Sequence, residues 1–174
     1  MPIEPEGSVE VFHGSLIRVL VETWPEGLRE IVQHPGAAAM VAFDGDDVIL
    51  IRQLRQAIRA ETLEIPAGIL DREGESPRAC AERELLEETG YRATGVDRLG
   101  MVHTSLGFTN ERIELFICSA EREGEPEDGI TVERMPFADA LAAVHDGRIT
   151  DAKSAVALLL AGERRHPGGA AATR

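Results

Sequence analysis

The apolar residues in the first third of the chain fall into short runs divided by turn residues. Val9–Phe12, Leu16–Thr23 and Leu28–Gln33 alternate apolar and polar positions, and Trp24-Pro25-Glu26-Gly27 separates the last two. Period-two alternation between turn signals predicts strands, so residues 1–36 are expected to form a small antiparallel meander, closed by Pro35-Gly36. Ala37–Phe43 and Val48–Gln53 are denser apolar runs joined by Asp44-Gly45-Asp46-Asp47. Asp-Gly accepts the positive φ of a tight turn, which predicts a hairpin. Leu63-Glu64-Ile65 reads as a short strand stopped by Pro66-Ala67-Gly68.

A helix follows with clear punctuation. Ser76 can cap it, Pro77 fits the first turn, where its missing N–H costs nothing, and Gly90 after Thr89 supplies a left-handed stop. Val96–His103, Ile113–Ser119 and Ile130–Glu133 are strand-like, separated by a glycine-containing loop at 105–111 and an acidic loop at 121–129. Phe137–His145 and Asp151–Glu163 read as closing helices, and 164–174 as a flexible tail. Strands and helices mix without regular β-α alternation. That predicts an α+β fold, a mixed sheet with helices packed against it, rather than a doubly wound parallel sheet.

Composition narrows the function. The 174 residues suit one domain, and 43% hydrophobic with 28% charged residues is ordinary for a globular protein with a real core. The formal net charge of −13 opposes binding to nucleic acid or to an anionic membrane, since both need a basic face. Phosphorylated small molecules stay open, because carboxylates can hold a divalent cation that holds phosphate in turn. Cys80 and Cys118 are too few for a disulfide framework and are expected to be buried thiols. No stretch reaches the roughly 18 apolar residues of a membrane span. Residues 1–7 lack the basic and apolar regions of a signal peptide, so the expected location is the cytoplasm.

One segment concentrates the charge. Between Asp71 and Glu88 lie seven acidic residues and three arginines, Arg72, Arg78 and Arg83. Glu84, Glu87 and Glu88 fall within about 100° of arc on a helix, where like charges at i, i+3 and i+4 repel. A bound cation would neutralise them. Hard oxygen donors without neighbouring His or Cys point to Mg²⁺ or Mn²⁺, and so to metal-assisted hydrolysis of a phosphate or diphosphate. The competing interpretation is a solvated acidic helix face.

The wider segment resembles the signature of the Nudix hydrolase family. Gly68-Ile69-Leu70-Asp71-Arg72-Glu73-Gly74-Glu75 leads, after seven residues, to Arg83-Glu84-Leu85-Leu86-Glu87-Glu88-Thr89-Gly90-Tyr91. The match is complete from Glu75 to Tyr91; six residues rather than five separate Gly68 from Glu75. The leading meander, Leu63-Glu64-Ile65-Pro66-Ala67-Gly68, Gly107-Phe108-Thr109-Asn110-Glu111 and the acidic loop resemble the ADP-ribose pyrophosphatase branch. Leu106 stands where that branch usually carries proline.

The resemblance implies an α/β/α sandwich over 37–163 preceded by the small N-terminal antiparallel sheet, Mg²⁺ dependence, a nucleoside diphosphate substrate such as ADP-ribose, and a homodimer joined through residues 1–36. Other nucleotide sugars and dinucleoside polyphosphates are the alternative substrates; a non-catalytic nucleotide-binding domain is the alternative class. Carried over by residue, Glu84, Glu88 and the Ala67 carbonyl resemble metal ligands. Glu87 would be a ligand through water or the catalytic base. Arg83 would hold a carboxylate in place, and Glu75 would fix the loop. In some relatives the base lies in the later acidic loop, where Glu125, Glu127 and Asp128 are candidates; Glu127 is taken here. Arg55 is expected to face phosphate, and Glu64 to contact a ribose hydroxyl or pair with Arg55. Arg29 and Glu30 are expected to reach the nucleotide across a dimer, one of them being only surface. Arg52 is as readily a solvent-facing arginine. Trp24 is expected at a turn or dimer contact, while His103 and His145 lack partners at metal-ligand spacing.

Overall fold

The computed structural model describes residues 3–165. Strands β1 (Gly7–His13), β2 (Arg18–Trp24) and β3 (Gly27–Gln33) form the N-terminal meander in the order β1-β2-β3, all antiparallel. A second, mixed sheet holds β4 (Ala37–Asp44), β5 (Asp47–Arg55), β6 (Ala60–Glu64), β7 (Ala67–Ile69), β8 (Tyr91–His103), β9 (Arg112–Arg122) and β10 (Thr131–Pro136). Its path is β10-β5-β4-β9-β8, with β6 paired to β5 and β7 to β4. β4 and β9 run parallel; the other ladders of this sheet are antiparallel. Helices α1 (Pro77–Thr89), α2 (Phe137–His145) and α3 (Ala152–Arg165) complete the fold.

Strand β4 explains the layering. Its side chains alternate between two faces, as any strand's do. Ala37, Ala39, Val41 and Phe43 join Phe137, Ala140, Ala157 and Leu158 of α2 and α3 in one buried cluster. Ala38, Met40 and Ala42 join Cys80, Ala81 and Leu85 of α1 in the other. The run is apolar throughout because both faces are covered, which gives the expected α/β/α sandwich.

Several boundaries differ from the sequence expectation. Pro66 interrupts the strand at Glu64, yet Ala67–Ile69 resumes pairing, opposite Ala39–Ala37 of β4. Strand β8 starts at Tyr91 rather than Val96, because Gly90 (φ 72°) ends α1 in the left-handed region and the chain turns directly into a ladder with Arg122. Helix α3 runs to Arg165, two residues into the stretch expected to be tail; 166–174 lie outside the described residues, as do Met1 and Pro2.

Candidate functional site

Helix α1 supplies most of the acidic side chains. Ser76 caps it, its hydroxyl accepting from the Ala79 N–H at 3.2 Å. Ala81, Leu85 and Glu88 follow one another at helical spacing on the stripe that faces the sheet, and all three are buried. A carboxylate therefore occupies a position that packing would give to an apolar residue. Glu88 accepts the Ala67 N–H at 3.0 Å, which ties the helix to β7. Burial outweighs that bond and, with Glu84 nearby, pushes the Glu88 carboxyl up to about 7.

Arg83 organises the remaining carboxylates. It donates to both oxygens of Glu75 (2.8 and 3.0 Å), to Glu84 at 2.6 Å and to Glu87 at 2.8 Å. Arg72 adds a longer contact to Glu87 at 3.4 Å. Hydrogen bonds from Arg83 hold Glu75 below its ordinary value. Glu84 is pushed above its ordinary value because burial, aided by Glu87, exceeds what Arg83 returns.

A cleft opens beside this cluster. A cavity of about 370 Å³ is lined by Arg55, Ala67, Gly68, Ile69, Arg83 and Glu84 among others. It shares Arg55, Ala67, Gly68 and Ile69 with a neighbouring cavity of about 530 Å³ that extends past Glu64 to His34, Glu111 and Lys153. Arg55 thus stands where the two meet. Its Nε and Nη2 both donate to Glu64, at 2.7 and 2.6 Å, so the salt bridge expected as the plainer role of Glu64 is present. Glu64 is almost wholly buried, and burial works to raise its carboxyl, but Arg55, Lys153 and Thr62 hold it down at about 2.

The sequence candidates divide accordingly. Glu75, Arg83, Glu84 and Glu87 are joined directly, and Glu88 joins Ala67. Glu127 approaches through its backbone, whose N–H donates to the Glu87 carbonyl at 2.9 Å; its side chain is exposed. Asp128 is also exposed, and Glu125 pairs with Arg122. Arg52 pairs with Glu133 at 2.8 Å, the solvent-facing role. Arg29 and Glu30 are exposed on β3, project to opposite faces as neighbours on a strand must, and line neither cavity. Trp24 donates to Glu22 at 3.0 Å. Burial pushes the Cys80 and Cys118 thiols up to about 12, so both stay protonated.

Lys153, Asp151 and Ser154 at the start of α3 were not singled out by the sequence. Lys153 is buried and donates to Glu64, and to Asp151 at 2.9 Å; the Ser154 hydroxyl accepts the Ile65 N–H at 2.9 Å. The signal available was a lysine just ahead of the apolar run Ala155–Ala161.

The donor set around Glu84 and Glu88 is oxygen only; Glu88 is buried and Glu84 half-buried, and burial raises both carboxyls above their ordinary value. Among the described residues no three acidic, His or Cys side chains are grouped so as to hold a metal ion, and Arg83 is bonded to Glu84 and Glu87. The chemistry of the donors nevertheless suits a hard divalent cation.

Comparison with known proteins decides the family. The family model of the NUDIX domain matches residues 33–158. The chain belongs to the Nudix hydrolase family. ADP-ribose pyrophosphatase of Bacillus subtilis (strain 168) is 36% identical to this Nudix chain over 161 residues, 86% of each protein. GDP-mannose pyrophosphatase of Cronobacter sakazakii (strain ATCC BAA-894) is 34% identical over 145 residues, 75% of each. A methanol dehydrogenase activator of Bacillus methanolicus is 33% identical over 161 residues, 86% of each. The crystal structure of an ADP compounds hydrolase superposes with a TM-score of 0.80 over 95% of both chains at 22% identity, which establishes the Nudix fold.

Proposed function

We propose that this Nudix hydrolase cleaves the diphosphate of a nucleoside diphosphate derivative, with ADP-ribose its foremost substrate and AMP and ribose 5-phosphate the products. The observation that carries this is the pair of half-buried Glu84 and buried Glu88, both pushed above the ordinary carboxylate value, beside a cleft whose arginine, Arg55, stands between its two chambers. The 36% identity to an ADP-ribose pyrophosphatase over most of both chains supports the choice of substrate.

In this proposal Glu84, Glu88 and the Ala67 carbonyl hold Mg²⁺. Bound there, the cation withdraws charge from the phosphate oxygens and makes water more acidic. Glu87, more exposed than its neighbours and held by Arg83, contributes through water or accepts the proton of the attacking water. Glu127 is the second candidate for that proton, since its backbone is bonded to the residue Glu87. Arg83 keeps Glu84 and Glu87 apart from one another's repulsion and anchors Glu75, which fixes the loop entering α1. Arg55 offers the substrate its Nη1, which makes no hydrogen bond among the described residues, while Glu64 fixes the plane of the guanidinium. Attack of water on one phosphorus breaks the anhydride P–O bond, and both products leave as monophosphates.

Residues 1–36 are proposed as a dimerisation element of a homodimer. The β1–β3 register sets Val9, Val21 and Glu30 abreast on one face, with Leu28 and Thr23 to one side and Phe12, Val19 and Val32 to the other. Val9, Phe12 and Leu28 are 64%, 53% and 66% exposed, an apolar surface suited to a second copy. On this account Glu30 faces the partner's cleft and Arg29 faces away. A cytoplasmic location accords with the buried free cysteines and with the absence, among the described residues, of a helix long and apolar enough to cross a membrane.

Hydrolysis of GDP-mannose or a related nucleotide sugar is the second reading, supported by the Cronobacter relative; Leu106 at the usual proline position removes one marker of the ADP-ribose branch. Turnover of ADP-ribose, GDP-mannose and diadenosine polyphosphates, with products separated by chromatography, tests the proposal. ADP-ribose is expected to give the highest kcat/KM and equal amounts of AMP and ribose 5-phosphate. A preference for GDP-mannose would replace the first substrate by the second, and turnover of none would overturn the hydrolytic reading.

A further inference from the structure

Helix α3 begins with a residue that its own element disfavours. Lys153 is the second residue of the helix, where the positive end of the helix dipole repels a cation. It is also buried, with 8% of its side chain exposed. Two penalties at one position need a compensating role. Lys153 is bonded to Glu64, which is itself bonded twice to Arg55, and to Asp151, which accepts the Ser154 N–H at 3.0 Å. Ser154 in turn takes the Ile65 N–H, one residue before the Pro66-Ala67 step into the cleft. The start of α3 is therefore fastened to the segment that carries both Glu64 and Ala67.

We propose that Lys153 is a positioning residue for the diphosphate site: by sharing Glu64 Oε2 with Arg55, it fixes the guanidinium of Arg55, whose Nη1 makes no hydrogen bond among the described residues. The charge count requires two cations. Glu64 oxygen Oε2 receives both Arg55 Nη2 and Lys153, while Oε1 receives Arg55 Nε and Thr62. Asp151 adds a second carboxylate to the group, so Arg55 and Lys153 together balance Glu64 and Asp151. Without Lys153, Arg55 is left as the one cation against two carboxylates and is drawn inward, away from phosphate. Lys153 touches no reacting atom in this scheme; its effect passes through Glu64 to Arg55.

The inference rests on the proposed diphosphate hydrolysis, and a mutant cycle keeps the two separable. Lys153→Gln, Arg55→Met and the double variant are compared for KM and kcat on ADP-ribose with Mg²⁺, and for the dissociation constant of ADP by calorimetry. A charge-assisted hydrogen bond is worth enough to change binding by about ten- to a hundredfold. Lys153→Gln is expected to raise KM and the ADP dissociation constant by about tenfold or more, with kcat changed by less than about threefold. The double variant is expected to bind ADP within about twofold of Arg55→Met alone, since both act through one guanidinium. Lys153→Met, which fills the same slot with an apolar chain, carries the same expectation should Lys153→Gln fail to fold. Unchanged KM and ADP affinity would overturn the inference, and so would losses that multiply fully in the double variant, the outcome of a merely structural role. Wild type that binds ADP yet turns over no substrate would overturn the hydrolytic reading alone, with the ADP cycle still deciding the role of Lys153. Wild type that neither binds ADP nor turns over any substrate would overturn both.

Discussion

Glu84 occupies the space that a side chain at Gly68 would need. A Cβ placed on Gly68 would lie 1.9 Å from Glu84 Cδ and 2.0 Å from its Oε1. The glycine is required there because a carboxylate passes against the backbone, and no left-handed conformation is involved. One extra residue between Gly68 and Glu75 is absorbed in the loop before α1, and this contact identifies Gly68 as the glycine that matters.

Gly68→Ala is accordingly expected to displace Glu84 while leaving the sheet intact. A shift of about 1 Å in a catalytic group can cost roughly a hundredfold in rate. Steady-state kinetics should show kcat/KM down by about that factor, with far-UV circular dichroism unchanged. Full activity in Gly68→Ala would show that Glu84 is not held where the chemistry needs it.

Arg83 is bonded to three carboxylates at once, so its loss should be felt most without metal. Arg83→Met is expected to lower the melting temperature of the metal-free protein by roughly 5 °C, and added Mg²⁺ should recover part of that loss. Arg83→Lys should rescue little, since one ammonium cannot reproduce the fork that grips Glu75 with two nitrogens. Thermal unfolding with and without Mg²⁺ checks both expectations. A loss that Mg²⁺ leaves unaltered would indicate a purely mechanical role.

Glu64 gives a pH signature. Its folded-state value of about 2 lies below the ordinary 4.5, so the ionised form stabilises the fold. That contribution, roughly 3 kcal/mol, is fully present above pH 4.5 and fades as pH falls toward 2. Urea unfolding of wild type and Glu64→Gln should therefore differ most at neutral pH, and the gap should narrow between pH 4.5 and 2. A gap independent of pH would mean that the Arg55 and Lys153 pairings contribute nothing to stability.

The exposed face of the N-terminal sheet predicts association. Light scattering should give the mass of two chains for wild type. Phe12→Asp, which puts a charge on that face, should shift the protein toward one chain. A single-chain mass for wild type would remove residues 1–36 from the role proposed for them.

Much of this architecture was legible in the sequence for identifiable reasons. Ser76, Pro77 and Gly90 act through local backbone chemistry, and they bound α1 as their residue types require. The apolar run Ala37–Phe43 announced a doubly covered strand. Arg83 with Glu84, Glu87 and Glu88 was visible because all four lie on one helix, within two turns. What sequence spacing could not reveal was long-range. Lys153 meets Glu64 across 89 positions, and nothing near Lys153 marks that partner. Strand β7 was hidden because its pairing with β4 is set by tertiary contact, after a proline that locally reads as a stop. The role proposed for Glu30 depends on a second copy of the chain, which sequence spacing cannot place.

The most direct test of the central claim is the Mg²⁺ dependence of ADP-ribose hydrolysis by wild type and by Glu88→Gln. The account predicts turnover that rises with Mg²⁺, vanishes with a chelator and falls at least a hundredfold in Glu88→Gln, while the variant stays folded. Chelator-resistant turnover, or a Glu88→Gln variant as active as wild type, would contradict it.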